Sequence, residues 1–469
     1  MSSENRLDIV IFGATGFTGK RTIPQLTKLL KSDNLSLTWG VAGRSEEKLK
    51  SALLEMQQKT GEDYSKIPVI IADIDDKESI EKMTAAARMI INTVGPYRFY
   101  GERVVEACVK SGTHHVDVSG EPQYMENMEL KYHKAAKEKG IYLVSACGFD
   151  SIPADMGVIF MQKNFEGNLL KYHKAAKEKG IYLVSACGFD SIPADMGVIF
   201  MQKNFEGTLN SVESYMYTTI KGGPYPGATI HYTTYESAVH GIANWGELRE
   251  IRRKLYPEKL PTFEPKLHPK RSFFKNKFLE RWCTIFPGTD RSVCLRTQRY
   301  MYEKHRQRPV QVHCYTAYAN FFHLMVTLFF GAIFLLMSKL SFTRKLLLAY
   351  PRIFTCGMIS HEGPTEEKQE HTLFNFVLVG QGWSETQLEP TDQFPTPPEK
   401  IALAKVSGNN PGYGATCIML AVSALMILTE KDKLPPGGGC YPPGAAFANT
   451  SMIEKLNKHG VKFEMNPEL

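Results

Sequence analysis

A run of glycines near the amino end is the clearest candidate for chemistry in this sequence. The apolar stretch Leu7–Phe12 leads directly into a turn with three glycines at spacing three, and a helical pattern follows. This arrangement suits a dinucleotide, because one glycine permits a tight turn, one lets backbone N–H groups approach a pyrophosphate, and one lets helix and strand pack closely. An ordinary glycine-rich turn is the less favoured alternative. The predicted cofactor-binding residues of the turn are Gly13, Ala14, Thr15, Gly16, Phe17, Thr18 and Gly19.

The next predicted strand, Leu37–Ala42, is followed by Gly43, Arg44 and Ser45. An acidic residue near this point would bind the ribose hydroxyl of NAD, and none is present there. Arg44 occupies the position instead, and a guanidinium suits the 2′-phosphate of NADP. A solvated surface arginine is the alternative. The sequence therefore predicts NADP as the cofactor and favours NAD less.

Polar and turn residues follow the later predicted strands, where ligands bind in open α/β sheets. Asp73 follows the third strand and would border the adenine, or else cap a helix. Gly95 and Pro96 follow the fourth strand, near the expected nicotinamide. Tyr97 and Asp150 are the candidate catalytic residues, with ring packing and helix capping as their structural alternatives. The repeated strand–helix alternation predicts a doubly wound parallel sheet of the Rossmann type.

Residues 130–167 recur letter for letter as residues 170–207. Structural repeats that stack are similar rather than identical and need about three units, so a recent tandem duplication or a duplicated exon explains this repeat better. Only one copy can occupy a given place in a sheet. We expect the strand of the first copy there, with the other copy looped out or added at a sheet edge.

The chain is predicted to divide into a Rossmann domain, residues 1–207, and an α+β domain with a mixed sheet, residues 208–469. In the second domain Ala415–Leu428 is predicted to be a buried helix. Phe321–Met337 carries no charge over 17 residues, and its length of about 25 Å is short for a hydrocarbon core of roughly 30 Å. A buried helix, a membrane span and a segment lying on a lipid surface remain open for it.

The surface interpretation is favoured because residues 249–308 hold 17 Lys and Arg against six Asp and Glu, and cations are attracted to anionic lipid. A solvated loop is the alternative for this basic segment. Nucleic acid is an improbable partner, since no recognisable nucleic-acid-binding module surrounds the basic residues. The nine Cys include no CxxC or CxxH pair, so neither a disulfide framework nor a metal site is expected. The amino end lacks a secretory pattern, and we expect an intracellular protein.

Several stretches of the sequence resemble the saccharopine dehydrogenase-like oxidoreductase family, and the resemblance covers nearly the whole chain. They include GATGFTG, VAGRS, NTVGPYRFYGERVVEACVKSGTHHVDVSGE, GFDSIPADMG and GGGCYPPGAAF. The resemblance implies an NAD(P)-linked oxidoreductase with a Rossmann domain, association with lipid droplets, mitochondria or membranes, and relatives that act on lipid or glycolipid precursors. It does not supply the substrate. The alternative function is a catalytically silent nucleotide-binding scaffold on lipid surfaces, an amino-acid dehydrogenase is a weaker third, and a homodimer is left open.

Overall fold

The computed structural model describes residues 6–119, 121–138, 141, 143–144, 181–184, 192–223, 225–243, 247–256, 258–286, 288–386, 389–436 and 438–467. Asp150, one of the two candidate catalytic residues, lies outside the described residues. Most of the duplicated sequence between the two copies of the strand also lies outside them.

The amino-terminal half forms a six-stranded parallel sheet with the strand order β3-β2-β1-β4-β5-β6. Its central strands are almost wholly apolar and buried, as expected where helices cover both faces of a parallel sheet. The predicted doubly wound Rossmann sheet is confirmed. Its strands are β1 (Leu7–Phe12), β2 (Trp39–Gly43), β3 (Val69–Ile71), β4 (Ala87–Asn92), β5 (His114–Asp117) and β6 (Leu143–Val144); its helices are α1 (Phe17–Ser32), α2 (Glu46–Thr60), α3 (Lys77–Ala85), α4 (Tyr97–Ser111) and α5 (Pro122–Glu138).

The second half contains a seven-stranded mixed sheet, which confirms the α+β prediction. The strand order is β10-β11-β12-β8-β14-β15-β17, with β12 parallel to β8 and the other pairs antiparallel. Its strands are β8 (Thr208–Ile220), β10 (Phe274–Lys275), β11 (Trp282–Ile285), β12 (Gln311–Tyr318), β14 (Thr372–Trp383), β15 (Lys400–Asn409) and β17 (Lys462–Met465). Two short parallel pairs form two-stranded sheets of their own: β9 (Ile230–His231) with β13 (Ile359–Ser360), and β7 (Ile181–Val184) with β16 (Gly438–Tyr441), which lies next to β6.

The helices of this half pack on the mixed sheet, on one another or on the Rossmann half. They are α6 (Ile192–Asn204), α7 (Tyr232–Ala243), α8 (Glu247–Leu255), α9 (Asp290–His305), α10 (Phe321–Lys339), α11 (Ser341–Ala349), α12 (Pro351–Phe354), α13 (Glu366–His371), α14 (Thr416–Thr429), α15 (Pro443–Phe447) and α16 (Met452–Lys458). A single π-helical turn, Pro411–Ala415, leads into α14. Helix α14 packs on α1, where Cys417 meets Thr22, so the second half also covers the Rossmann sheet.

Two of the described helices are long and apolar enough to cross a membrane. In the one formed by Pro411–Thr429, 72% of the residues of the apolar stretch are buried, which confirms the predicted buried helix. In the other, α10, only 11% of the residues of the apolar stretch are buried. The buried-helix interpretation of Phe321–Met337 is therefore wrong, because one side of this helix has no protein against it.

The two copies of the repeat have different places in the structure. The strand of the first copy is β6, which pairs with β5 as expected. The strand of the second copy, β7, pairs instead with β16. Helix α6, also from the second copy, packs on β14 and β15 of the mixed sheet, although the predicted boundary at residue 207 assigned it to the Rossmann domain. Helix α6 is buried on most sides and also packs on the helices formed by Asp290–His305 and Pro443–Phe447; the division of the chain at residue 207 stays a prediction.

The basic segment, residues 249–308, is partly regular secondary structure and partly a solvated loop, because residues 258–273 form no helix or strand and are largely exposed. It forms α8, β10, β11 and α9, and several of its cations are buried. Arg252 makes a two-pronged contact with Glu126 of α5, with Nη2–Oε1 and Nε–Oε1 distances of 2.8 and 3.0 Å. Part of the excess charge is thus neutralised inside the protein and does not act on a partner.

Candidate active site

A cleft of about 420 Å³ lies at the carboxyl ends of β1, β2, β4 and β5. Ligands of doubly wound sheets bind at this edge, at the point where the strand order reverses. The far wall of the cleft comes from the second half of the chain. The cleft is lined by residues that include Gly13, Thr15, Gly16, Phe17, Thr18, Arg44, Ile74, Asp75, Gly95, Tyr97, His231, Ser237, Gly412 and Tyr413.

The glycine turn has the backbone geometry that the sequence predicts. Gly13 has φ +83°, and a Cβ on it would lie 2.8 Å from the Thr93 hydroxyl oxygen. A Cβ on Gly19 would lie 2.2 Å from the carbonyl oxygen of Gly13, so only glycine lets α1 pack this close to β1. Ala14 and Gly19 are buried beneath the turn, whereas the other five predicted residues line the cleft.

The amino end of α1 points into the cleft without a side-chain cap. Gly16 occupies the N-cap position and offers no side chain, and no acidic residue stands in the first turn. The first N–H groups of a helix have no partner within it, and they favour an anion at that end. The turn therefore suits a pyrophosphate.

Arg44 stands directly after β2 at the edge of the cleft, and its side chain is exposed. Ser45 beside it caps α2 by accepting the N–H of Lys48, which fixes the backbone at this point. Among the residues that the structure describes, no carboxylate forms an ion pair with Arg44. An available guanidinium at the end of the second strand fits the 2′-phosphate of NADP.

Asp73 does not line the cleft. One carboxylate oxygen of Asp73 accepts the N–H of Asp75 at 3.1 Å, and its own N–H donates to the Ser79 hydroxyl at 2.9 Å. These local bonds turn the side chain into the loop that precedes α3. Ile74 and Asp75 occupy the place predicted for Asp73.

Tyr97 lines the cleft, with Gly95 beside it and Pro96 buried at the N-cap position of α4. The Tyr97 hydroxyl donates to the carbonyl oxygen of Asn92 at 3.0 Å and accepts the N–H of Val118 at 3.3 Å. It therefore joins the ends of β4 and β5, a geometry that favours the packing alternative. The catalytic roles of Tyr97 and Asp150 stay predictions.

Glu121 holds the amino end of α4 against the second half of the chain. Its buried carboxylate accepts the N–H groups of Tyr97 and Arg98 at 2.8 and 3.0 Å and the Ser237 hydroxyl at 3.0 Å. Burial raises the pKa of Glu121, while the two N–H groups oppose the rise. Its position after β5 is the sequence signal, but its partner Ser237 is too distant in sequence to be inferred.

The far wall was missed by sequence reasoning. The Phe17 ring lies 4.9 Å from the His231 ring and 4.5 Å from the Tyr413 ring, and the backbone N–H of His231 donates to the Tyr413 hydroxyl at 3.2 Å. Burial lowers the pKa of His231, so its imidazole is neutral at pH 7. The signal that could have found Tyr413 is the Pro-Gly-Tyr-Gly turn that opens α14, which resembles the first glycine turn in leading into a helix.

The described residues fit a nicotinamide dinucleotide phosphate. An uncapped helix end, a glycine with positive φ and an exposed arginine occur in the order that the cofactor requires. The cleft volume is also within the range of about 300–1,000 Å³ that is usual for small-molecule sites.

Comparison with known proteins agrees with this fit. Residues 9–144 match the family model described as the saccharopine dehydrogenase NADP binding domain. The chain is 35% identical to a saccharopine dehydrogenase-like oxidoreductase of Mus musculus, over 99% of each chain. It is 35% identical to the lipid droplet localized protein of Caenorhabditis elegans, again over 99% of each. A third relative, from Arabidopsis thaliana, is named a "probable mitochondrial saccharopine dehydrogenase-like oxidoreductase" and is 31% identical over 98% of this chain and 96% of its own.

Proposed function

Since the chain belongs to the saccharopine dehydrogenase-like oxidoreductase family and carries its NADP-binding domain, we propose that it oxidises or reduces a lipid-like substrate at a lipid surface. The observation that carries the proposal is the unpartnered apolar side of α10. The finer expectation of a glycolipid precursor is kept as one form of this substrate class.

Helix α10 presents large apolar side chains to solvent. Phe322 and Leu336 are 72% and 68% exposed, and Phe329, between them on the same side of the helix, is 63% exposed. The apolar surface continues along α11 and α12 through Phe342 and Ile353. Contiguous exposed apolar surface of this kind marks a protein or membrane contact.

Two features support a lipid surface over a membrane span. The opposite side of α10 packs on α7, α11, β11 and β12, so lipid cannot surround the helix. Lys339 and Lys345, at the end of α10 and on α11, are exposed next to the apolar side chains. Cations in this position are attracted to anionic headgroups by about 1 kcal/mol each. The names of the relatives from C. elegans and A. thaliana support a lipid-droplet or mitochondrial location.

We propose the following roles for the residues that line the cleft. The turn at Gly13–Thr18 would hold the pyrophosphate and Arg44 the 2′-phosphate, while Gly95 and Tyr97 would border the nicotinamide. The bound cofactor supplies or accepts a hydride. Glu121 fixes the amino end of α4 next to that position, and the far wall at Tyr413 limits access of water.

Flotation with vesicles of anionic phospholipid tests the surface contact. Leu336→Asp removes a side chain worth about 1.5–3 kcal/mol when buried, so the partition coefficient of the full chain onto the vesicles should fall at least about tenfold. Leu54→Asp is the matched control, because Leu54 is 54% exposed but lies on α2 in the Rossmann half. If both variants float like the unmodified chain, α10 is not the contact and the surface proposal fails.

A further inference from the structure

A second, larger cavity of about 740 Å³ lies between α10 and the mixed sheet. Residues of β8, β11, β12 and α10 form much of its wall, which is mainly apolar but also includes Arg281, His323 and Lys368. The cavity is larger than the cofactor cleft and shares no residue with the glycine turn. The apolar residues in its lining include Met216, Ile285, Ala317, Leu328, Phe334 and Leu335.

This apolar cavity and the cofactor cleft have a common wall. Gly412 and Tyr413 line both spaces. The two residues of β9 lie on opposite sides of this wall, since Ile230 lines the apolar cavity and His231 lines the cleft. Only the width of one strand and one turn therefore separates the apolar cavity from the place where the cofactor binds.

Helix α10 separates the same cavity from the outer apolar surface. Leu328, Gly331 and Leu335 recur every three to four residues and face the cavity, while Phe329 and Leu336 face outward. Both sides of the helix are thus apolar. An apolar molecule that leaves a lipid surface at α10 meets apolar side chains on its way into the cavity.

We propose that this cavity binds the hydrocarbon chain of the lipid substrate, and that the reactive end of the substrate extends past the shared wall at Gly412 and Tyr413 into the cofactor cleft. The inference rests on the proposed function and specifies its substrate as a long-chain lipid with a reducible or oxidisable group near one end. The wall that the cavity shares with the cofactor cleft argues for a substrate rather than for a structural lipid or a second copy of the chain.

Gly331 gives a direct test, because it lines the cavity and nothing lies within 4 Å of a Cβ built on it. Gly331→Phe should fill the cavity without a clash at the backbone. The probe is a fluorescent polyene fatty acid of 18 carbons, titrated into the full chain saturated with NADPH. We expect affinity for the probe to fall by at least about tenfold, which corresponds to about 1.4 kcal/mol. Leu336→Phe, on the outward side of the same helix, should leave the affinity unchanged.

The outcomes separate this inference from the proposed function. If NADPH binds and the probe binds Gly331→Phe as tightly as the unmodified chain, the cavity is not the chain-binding site, although the proposed function stands. If the unmodified chain does not bind NADPH, the proposed function itself fails. Photocrosslinking of the unmodified chain with a diazirine-bearing fatty acid needs no variant to fold, and it should label Leu328 or Leu335. Labelling confined to Phe322 and Phe329 would overturn the inference.

Discussion

Replacement of Arg44 by alanine tests the cofactor assignment at a single side chain. A hydrogen bond to a charged group contributes about 1.5–3 kcal/mol. Since Arg44 is exposed, we expect a loss near the lower value, or about a tenfold weaker Kd for NADPH. NADH has no 2′-phosphate, so its Kd should stay unchanged. Fluorescence titration of both cofactors with the full chain measures the two values.

The matched control is Lys48→Ala, which removes a positive charge from α2 one turn after Arg44 without touching the cleft. It should leave both affinities unchanged. The difference between NADPH and NADH should also shrink as salt is added, because exposed charges are screened. Equal losses of NADPH and NADH affinity in Arg44→Ala would refute the assignment, since they would mean that the residue only supports the shape of the turn.

Three further predictions concern stability and the duplication. Burial raises the pKa of Asp195 from 3.8 to about 6. Between about pH 4 and about pH 6 the folded protein therefore holds a proton that the unfolded chain has released, so the free energy of unfolding should fall by at most about 3 kcal/mol as the pH rises through this range. Asp195→Asn should remove this pH dependence, as measured by urea unfolding at several pH values. A pH dependence that persists in the variant would contradict this. Arg252→Leu leaves the Glu126 carboxylate buried without its guanidinium partner, so the free energy of unfolding, measured with a chemical denaturant, should fall by about 3–5 kcal/mol. Adding Glu126→Leu should recover part of this loss. If nothing is recovered, the loss does not come from the buried charge. Deletion of residues 145–184, which removes one copy of the repeat, should leave the Kd for NADPH unchanged, because the cleft-lining residues that the structure describes lie outside it and the other copy supplies the same sequence; lost binding would show that the extra copy supports the cleft.

The local features of the Rossmann half could be predicted from the sequence. A strand, a glycine turn and a helix follow one another within about 25 residues, so the backbone needs of Gly13 and Gly19 are visible in their spacing. The placement of Arg44 follows from the end of the next strand in the same way. Asp73 shows the limit of this reasoning, because the choice between Asp73 and Asp75 depends on side-chain hydrogen bonds within one loop.

The rest depended on contacts between residues far apart in the chain. His231 and Tyr413 reach Phe17 across more than two hundred residues, and no local pattern brings them together. The orientation of α10 was equally hidden, because apolar side chains on both sides of a helix leave no periodic signal. Leu328 and Phe334 face the apolar cavity, whereas Leu336 faces outward. Only the packed structure distinguishes them.

The consumption of NADPH by the full chain with fractionated lipids tests the central claim most directly. Vesicles that contain a long-chain lipid fraction should cause NADPH absorbance to fall, with a matching reduced lipid in the product, while a water-soluble metabolite fraction should cause no change. A chain that binds NADPH but consumes it with no lipid fraction, and that forms no NADPH when supplied with NADP and the same lipids, would contradict the account and identify a silent scaffold.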